Sequence, residues 1–246
     1  MNVTPVIGSS EMFICFEDRP SDSPFVERIW RSHSERSDTF SSIAACHWEM
    51  VVSNVEGKIS LTVRGPETRA TNVVCPAEGE WYCVRFKLGT YLTLFPPGEL
   101  RDRNDVVLPN ASRRSFWLNG SAWEYPDFEN AETFVNRLVR RGLVAADPLV
   151  TSVLKGETHE LSKRTAQRRF LRTTGMTLST IEQLERARRA TVKLREGGAI
   201  LDVAFDEGYC DQAHLTRSLK YFVGQTPGQI ISADRQLSFL YNTDPA

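Results

Sequence analysis

The chain of 246 residues is 41% hydrophobic and 25% charged, an ordinary composition for a folded globular protein. It contains no run of about 18 apolar residues, which excludes a membrane-spanning helix. Residues 1–12 lack a basic stretch followed by an apolar one, so we expect no secretory leader. The five cysteines form no CxxC pair, which indicates a reducing, cytoplasmic setting.

The net charge of −1 hides an uneven distribution of charge along the chain. Residues 1–128 hold 13 lysines and arginines against 17 acidic residues, whereas residues 129–246 hold 17 against 14. Residues 160–195 are the most basic segment, with ten basic and three acidic side chains. Such a segment is typical of a phosphate-binding surface, although a solvated helix face has the same composition.

The first half of the chain has the pattern of a β-rich domain. Lys58–Arg64 alternates polar and apolar residues, and Tyr82, Val84 and Phe86 are the apolar positions of a second alternating run. Residues 54–57 carry a turn signal ahead of the first run. Strands at this spacing predict a sandwich or a barrel. For the five tryptophans of this half we expect core or interface packing rather than a ligand pocket: Trp30, Trp48, Trp81, Trp117 and Trp123.

A helix is predicted at the end of this β-rich half. Asp127 is a candidate N-cap for a helix that runs to Arg141, with Gly142 as its C-terminal stop. We expect a domain boundary directly after this helix. The chain is therefore divided into a front domain, residues 1–142, and a helical domain, residues 143–246.

The helical domain shows the start and stop signals of several helices. Ser162 is a candidate N-cap for residues 163–173, and Gly175 ends that helix. Ser179 and Glu182 have the spacing of a capping box at the start of a longer helix. This helix of about 18 residues spans roughly 27 Å, enough to hold two recognition units near one DNA turn apart. Its inner stripe comprises Leu178, Ile181, Leu184, Ala187, Thr191 and Leu194, and Gly197 and Gly198 end it.

The basic residues of the long helix have two interpretations. One or two of them reach phosphate groups, and the others pair with acidic residues at helical spacing. The basic residues are Arg186, Arg188, Arg189, Lys193 and Arg195, and the expected acidic partners are Glu182, Glu185 and Glu196.

Residues 200–222 have the pattern of a helix-turn-helix unit. Residues 200–207 form its supporting helix, Gly208 supplies the positive φ of the turn, and Asp211 caps the next helix. The core positions of this unit are Tyr209, Leu215, Leu219 and Phe222. The outward positions are Gln212, Ala213, Thr216, Arg217 and Lys220. Gln pairs with adenine and Arg with guanine through two hydrogen bonds, whereas Lys mainly contacts phosphate.

These residues resemble the AraC/XylS family of bacterial transcription regulators. The pattern in this unit is Ala204-x-x-x-Gly208-Tyr209, then Leu215-x-Arg217-x-x-Lys220, then Gly224-x-Thr226-Pro227. A first unit with a similar pattern lies at residues 161–170, followed by Thr174 and Gly175. The resemblance covers residues 150–232, about a third of the chain.

The resemblance implies an α+β fold, with a β-rich, cupin-like barrel or sandwich followed by an all-α DNA-binding domain. Two helix-turn-helix units joined by a long linking helix would contact double-stranded promoter or operator DNA. The implied base contacts are Arg164, Gln167 and Arg168 in the first unit and Gln212, Ala213, Thr216 and Arg217 in the second. Family members usually recruit RNA polymerase at the bacterial nucleoid, and many bind a small-molecule effector or form homodimers through the front domain.

The first unit departs from the family pattern at its supporting helix. Gly156 stands where the family usually has alanine, and Glu160 stands where it has the turn glycine. As an alternative, Val150, Val153 and Leu154 form this helix in another register.

The front domain leaves three functions open: a small-molecule sensor, a dimerisation or protein-interaction module, or a cupin-like metal-dependent enzyme fused to a DNA-binding module. His33, Cys46 and His47 are candidate metal ligands, but adjacent residues of a strand face opposite sides. No separated triad of two histidines and a carboxylate is evident. Glycine-rich phosphate loops and a Gly-x-Ser-x-Gly elbow are also absent. We therefore expect a non-enzymatic regulator without a metal, a cofactor or a membrane partner.

Overall fold

The computed structural model describes residues 13–102, 105–157, 161–232 and 237. The expectation about a secretory leader falls on residues 1–12, and the departure at Glu160 also lies outside the described residues. Within the described ranges, no helix is both long enough and apolar enough to cross a membrane.

The front domain is built on an antiparallel sheet of six strands. In chain order these strands are β1 (Ile14–Pro20), β2 (Val26–Ser34), β4 (Glu49–Val55), β5 (Lys58–Arg64), β7 (Glu80–Phe86) and β9 (Val106–Leu108). Across the sheet they follow the order β1-β2-β7-β4-β5-β9. The two alternating sequence runs are thereby confirmed as β5 and β7.

Smaller sheets and two helices complete the front domain. Strand β3 (Asp38–Ser42) pairs with β6 (Thr71–Cys75). Strand β8 (Thr90–Leu92) pairs with β13 (Val144–Ala146), which comes directly after the predicted boundary at residue 142, so the first residues of the predicted helical domain join a sheet of the front domain. A three-stranded sheet contains β10 (Asn110–Ser112), β11 (Ser115–Leu118) and β12 (Ser121–Glu124). The helices are α1 (Pro97–Leu100) and α2 (Ala131–Arg140). The β-rich character expected of this half is therefore confirmed.

The sequence explains the hairpin and the core of the large sheet. Glu56 and Gly57 both have positive φ, +52° and +74°, as a tight β4–β5 turn requires. On the inner face of the sheet, the Trp48 ring stacks on Phe86 with the ring centroids 3.8 Å apart. The Trp48 indole N–H donates to the carbonyl of Thr90 at 2.7 Å, which satisfies its buried polar group. Of the five tryptophans, Trp48 and Trp123 are buried in the core, whereas Trp117 is half exposed.

Helix α2 begins later than the sequence predicted. Asp127 does not cap it, because the Asp127 carboxylate accepts the N–H groups of Glu129 and Asn130 at 3.0 Å and 2.8 Å and caps the preceding turn. The helix then starts at Ala131, which is fully buried. Gly142, with φ of +68°, follows its end as predicted.

The helical domain contains six helices within the described residues. They are α3 (Pro148–Leu154), α4 (Lys163–Thr174), α5 (Leu178–Arg195), α6 (Ile200–Asp206), α7 (Gln212–Phe222) and α8 (Pro227–Ser232). Ser162 caps α4 by accepting the N–H of Thr165 at 3.3 Å, and Gly175 ends it with φ of +76°, as predicted. The alternative helix at Val150, Val153 and Leu154 is present as α3, in which Val150 is buried and Val153 is partly buried, whereas Leu154 is exposed.

The predicted capping box at the start of α5 is wrong. Thr177 is the N-cap, and its hydroxyl accepts the N–H of Thr180 at 3.1 Å. Ser179 lies inside the first turn. Because the helix begins at Leu178, this leucine lies on the same face as Ile181 and joins the inner stripe. The packing of that stripe therefore favours Thr177 over Ser179 as the N-cap.

A charged pair joins the first strand to α2. Arg19 donates to both carboxylate oxygens of Glu132, at 2.6 Å and 2.9 Å, and the Ser21 hydroxyl adds a third hydrogen bond at 3.0 Å. The hydrogen bonds from Arg19 lower the pKa of Glu132 from 4.5 to about 2.

This pair makes the stability of the front domain dependent on pH. The folded-state pKa of Glu132 is depressed, so its contribution is present above about pH 4.5 and is lost as the pH falls towards 2. We expect Glu132→Gln to lower the free energy of unfolding at pH 7 and to approach the wild type as the pH falls through this window. Urea unfolding between pH 7 and pH 3 measures the difference. Glu124→Gln on β12 is the control for the removal of an exposed carboxylate, and an E132Q deficit that is constant with pH would contradict the assignment.

Candidate nucleic-acid interface

The second helix-turn-helix unit consists of α6, a short turn and α7. Gly208 has φ of +70°, and the N–H of Tyr209 donates to the carbonyl of Ala204 at 2.8 Å, which closes the turn. The Asp211 carboxylate accepts the N–H of His214 at 2.6 Å and caps α7. The predicted turn and cap are therefore both confirmed. The predicted core positions Tyr209, Leu215, Leu219 and Phe222 are all buried.

The outward face of α7 carries the side chains that the sequence singled out. Gln212, Ala213, Arg217 and Lys220 are exposed, and Thr216 is partly buried among them. The Thr216 hydroxyl donates to the carbonyl of Gln212 at 2.8 Å. This face therefore presents one amide, one guanidinium and one ammonium group, together with two small side chains.

The first unit presents a second exposed face on α4. Arg164, Gln167 and Arg168 are exposed, and within the described part of the chain none of them makes an ion pair. The opposite side of α4 buries Ala166 and Phe170. The predicted residues of this unit thus share one outward face of the helix.

Asp147 holds the first unit together, and the sequence analysis did not single it out. Its carboxylate caps α3 by accepting the N–H of Leu149 at 3.0 Å. It also accepts two hydrogen bonds from Arg169, at 2.8 Å and 2.9 Å, and one from the Thr173 hydroxyl at 3.1 Å. Asp147 is only 6% exposed, so these bonds hold α4 against the start of α3. The signal in the sequence was an aspartate directly before Pro148, a helix-start pattern.

Helix α5 separates the two units. It contains 18 residues, which correspond to roughly 27 Å of helix axis. The predicted inner stripe is confirmed, since Leu184, Ala187 and Leu194 are buried and Leu178 packs at its edge. A separation of this size suits two recognition helices that enter adjacent segments of the major groove.

The basic residues of α5 are mostly paired, but only partly with the predicted partners. Arg188 pairs with Glu185 at 3.0 Å, as predicted. Arg189 and Lys193 instead pair with Glu207 beyond the end of α6, at 3.0 Å and 2.9 Å. Helical spacing within α5 could not indicate this partner, because Glu207 lies directly after the next helix.

Arg186 has a role that the sequence analysis did not specify. Its guanidinium lies over the Tyr209 ring, 4.5 Å from the centroid. The Tyr209 hydroxyl in turn lies 3.1 Å from the hydroxyl of Ser218 on α7. Arg186 and Tyr209 therefore connect the linking helix to the second recognition helix.

The three candidate metal ligands of the front domain do not lie together as a site. His33 is exposed on β2, whereas Cys46 and His47 are buried together. Burial raises the pKa of Cys46 to about 12, which keeps the thiol protonated, and it lowers the pKa of His47, whose ring lies 3.1 Å from Glu27. In the described ranges, no group of three or more His, Cys, Asp or Glu side chains has the geometry of a metal site.

The contacts of Asp147 lead to a stability prediction. We expect Asp147→Ala to lower the free energy of unfolding by roughly 2–3 kcal/mol, because it removes a helix cap and leaves the Thr173 hydroxyl without its carboxylate partner. Chemical denaturation of the full chain measures the loss. Asp22→Ala, which removes an exposed aspartate from the β1–β2 loop, is the matched control and should change stability by less than about 0.5 kcal/mol. Equal effects of the two substitutions would contradict the assigned role.

Comparison with known proteins gives one family match and two distant structures. Residues 157–233 match the model of a helix-turn-helix domain. A ligand-free lysine-to-alanine variant of ToxT from Vibrio cholerae is 9% identical, covers 87% of this chain and 99% of its own, and has a TM-score of 0.38. Wild-type ToxT bound to an unsaturated fatty acid is also 9% identical, covers 86% and 96%, and has a TM-score of 0.37. No curated protein matches the chain.

The family match covers the second unit and the exposed helix of the first unit, but it begins after α3. It begins ahead of α4 and ends after α8, so it contains both recognition helices and the linking helix. Residues 157–233 are thus similar to a helix-turn-helix domain, as the sequence resemblance implied, and this part of the chain follows a β-rich domain.

Proposed function

We propose that the protein is a sequence-specific transcription regulator, and specifically an activator, that places α4 and α7 in two adjacent segments of the major groove. The observation that carries this proposal is the pair of exposed faces described above, each with glutamine and arginine side chains, held apart by the 18 residues of α5. Amide and guanidinium groups on a helix face are the side chains that discriminate between base pairs in the major groove. We assign DNA binding to residues 143–246 and a regulatory role to residues 1–142.

Arg217 provides the first test of base recognition. If it forms two hydrogen bonds with guanine, Arg217→Ala should cost about 1–3 kcal/mol on the preferred sequence and relax the choice of base at one position. The preferred sequence is first selected from random duplex DNA with the full chain and located by footprinting. Titration of that duplex, and of a series with single base-pair changes, then measures discrimination position by position.

Two further variants sharpen this test. Arg217→Lys keeps the positive charge but loses the planar two-pronged donor, so it should relax base choice at the same position. Arg113→Ala removes an exposed arginine of the front domain and should leave binding unchanged. An Arg217→Ala loss that is equal for every sequence would make Arg217 a phosphate contact instead.

Lys220 lies near the end of the same helix face and is expected to contact phosphate. Lys220→Ala should lower the slope of log affinity against log salt concentration by about 0.9, because one fewer counterion is released. Base discrimination should remain as in the wild type. Binding titrations at several salt concentrations measure the slope, with Lys58→Ala on the β4–β5 hairpin as the matched control. An unchanged slope would remove Lys220 from the interface.

The front domain and the remaining surface carry the other proposed roles. We propose that residues 1–142 respond to a small-molecule effector or mediate self-association, and that the DNA-bound protein recruits RNA polymerase. Front-domain contacts with the helical domain support a regulatory role, because a change in one domain then changes packing in the other. A ligand-dependent shift in operator affinity would favour the effector, whereas a shift with protein concentration alone would favour self-association.

A further inference from the structure

The second recognition helix ends against the front domain. The last four carbonyl groups of a helix have no partner within it. At the end of α7, the carbonyl of Tyr221 accepts the N–H of Ala70 at 2.9 Å, and the carbonyl of Phe222 accepts the N–H of Ala44 at 2.8 Å. Both donors belong to the front domain, more than 150 residues earlier in the chain.

The two segments that contain Ala44 and Ala70 are hydrogen-bonded to each other. The N–H of Ala45 donates to the carbonyl of Glu67, and the N–H of Glu67 donates back to the carbonyl of Ala45, both at 2.9 Å. The Glu67 carboxylate also accepts from the Ser42 hydroxyl at 3.2 Å and from Arg64 at 3.1 Å. We call residues 42–45 together with residues 67–70 the front clamp.

The front clamp is also packed into the helical domain. Ile43 is 1% exposed, and with Ala44 it belongs to the apolar cluster that contains the core residues of α5 and α7. Gly224 follows α7 with φ of +81°, and a Cβ built there would lie 3.2 Å from the Cβ of Ala70. The clamp therefore fits closely around the end of the helix, through both backbone hydrogen bonds and side-chain packing.

The first recognition helix ends differently. The N–H of Gly175 donates to the carbonyl of Leu171 at 2.8 Å, and the Thr174 hydroxyl donates to the carbonyl of Phe170 at 2.9 Å. These groups all belong to the helix itself or to the residue directly after it. The end of α4 also lies against the front domain, because a Cβ built at Gly98 of α1 would lie 3.1 Å from the carbonyl oxygen of Arg172. Within the described residues, the end of α7 differs from that of α4 in accepting backbone hydrogen bonds from the front domain.

We propose that the front clamp positions α7 for base recognition, with Ile43, Ala44 and Ala70 as positioning residues. The inference rests on the proposed function, because it concerns the DNA segment that α7 contacts. The start of α7 is capped within its own unit by Asp211, whereas its end is held both by its own C-terminal hydrogen bonds to Leu219 and by the front clamp. Arg217 lies at the centre of the helix and Lys220 lies two residues before its end, so a shift of the end displaces both side chains, and Lys220 the more.

The first experiment needs no DNA. Hydrogen exchange of the full chain is compared between the wild type and Ala70→Pro, which removes the N–H that Tyr221 accepts. Ala70→Gly is the matched control, since it keeps this N–H. We expect exchange in residues 218–224 to become roughly two- to tenfold faster in A70P than in A70G, the range of one net hydrogen bond. Equal exchange of this segment in the two variants would overturn the capping role.

The second experiment tests base recognition with a milder pair of variants. Ile43→Val removes one methylene group from the front clamp. Ile29→Val makes the same change in the core of the front domain, where Ile29 is fully buried. Random duplex DNA of about 30 base pairs covers two adjacent groove segments and serves as the probe. The half-site that α7 contacts is the one in which Arg217→Ala loses discrimination.

The clamp predicts an asymmetric result. Ile43→Val should lower discrimination in the α7 half-site by roughly two- to tenfold, while the α4 half-site and both half-sites of Ile29→Val remain as in the wild type. Equal losses in both half-sites would indicate general destabilisation and overturn the positioning role. A wild-type protein that selects no sequence would instead contradict the proposed function, and the hydrogen-exchange result would still decide whether the clamp caps α7.

Discussion

The burial of one face of α5 is the constraint on which the helical domain depends. Leu184, Ala187 and Ala190 are fully buried along this face, and α6, α7 and α8 all pack against the helix. The two alanines leave room for neighbouring helices to approach closely, as in other close-packed helix pairs. Because α4 precedes α5 and α7 packs on it, the separation of the recognition helices follows from the length and straightness of this one element.

Most basic side chains of α5 are neutralised by ion pairs, whereas the described residues of α4 and α7 carry unpaired positive charge. Arg188, Arg189 and Lys193 pair with glutamates, so much of the basic charge counted in the sequence is already balanced within the domain. By contrast, neither Arg164 on α4 nor Arg217 on α7 forms an ion pair with another residue in the described part of the chain. An excess of basic residues is thus a weaker guide to the interface than the distribution of their partners, which only the tertiary structure supplies.

The sequence predicted what depends on neighbouring residues and missed what depends on distant ones. The alternation of β5 and the Asp211 cap follow from local pattern, and both were correct. The predicted cap at Ser179 was wrong because Thr177, two residues earlier, is also a residue that can cap a helix, and it is the one that caps α5. Asp147 was missed because Arg169 lies 22 residues further along the chain. The side chains predicted to contact bases lie on exposed helix faces, which helical periodicity in the sequence can indicate. Which base pair each side chain contacts is a question for the binding experiments.

The contacts between front domain and α7 bear on how regulation could operate in such a molecule. A ligand changes an equilibrium only by binding one conformation more tightly than another. The clamp residues Ala44 and Ala70 donate directly to the end of α7, so the proposed positioning role would couple a movement of the clamp to the position of Arg217. Regulation could then change base discrimination in one half-site while α4 keeps its contacts, without separating the domains or covering the DNA-binding face. An effector acting in this way would alter which sequences are bound more than how tightly DNA is bound overall, because phosphate contacts from both units would persist.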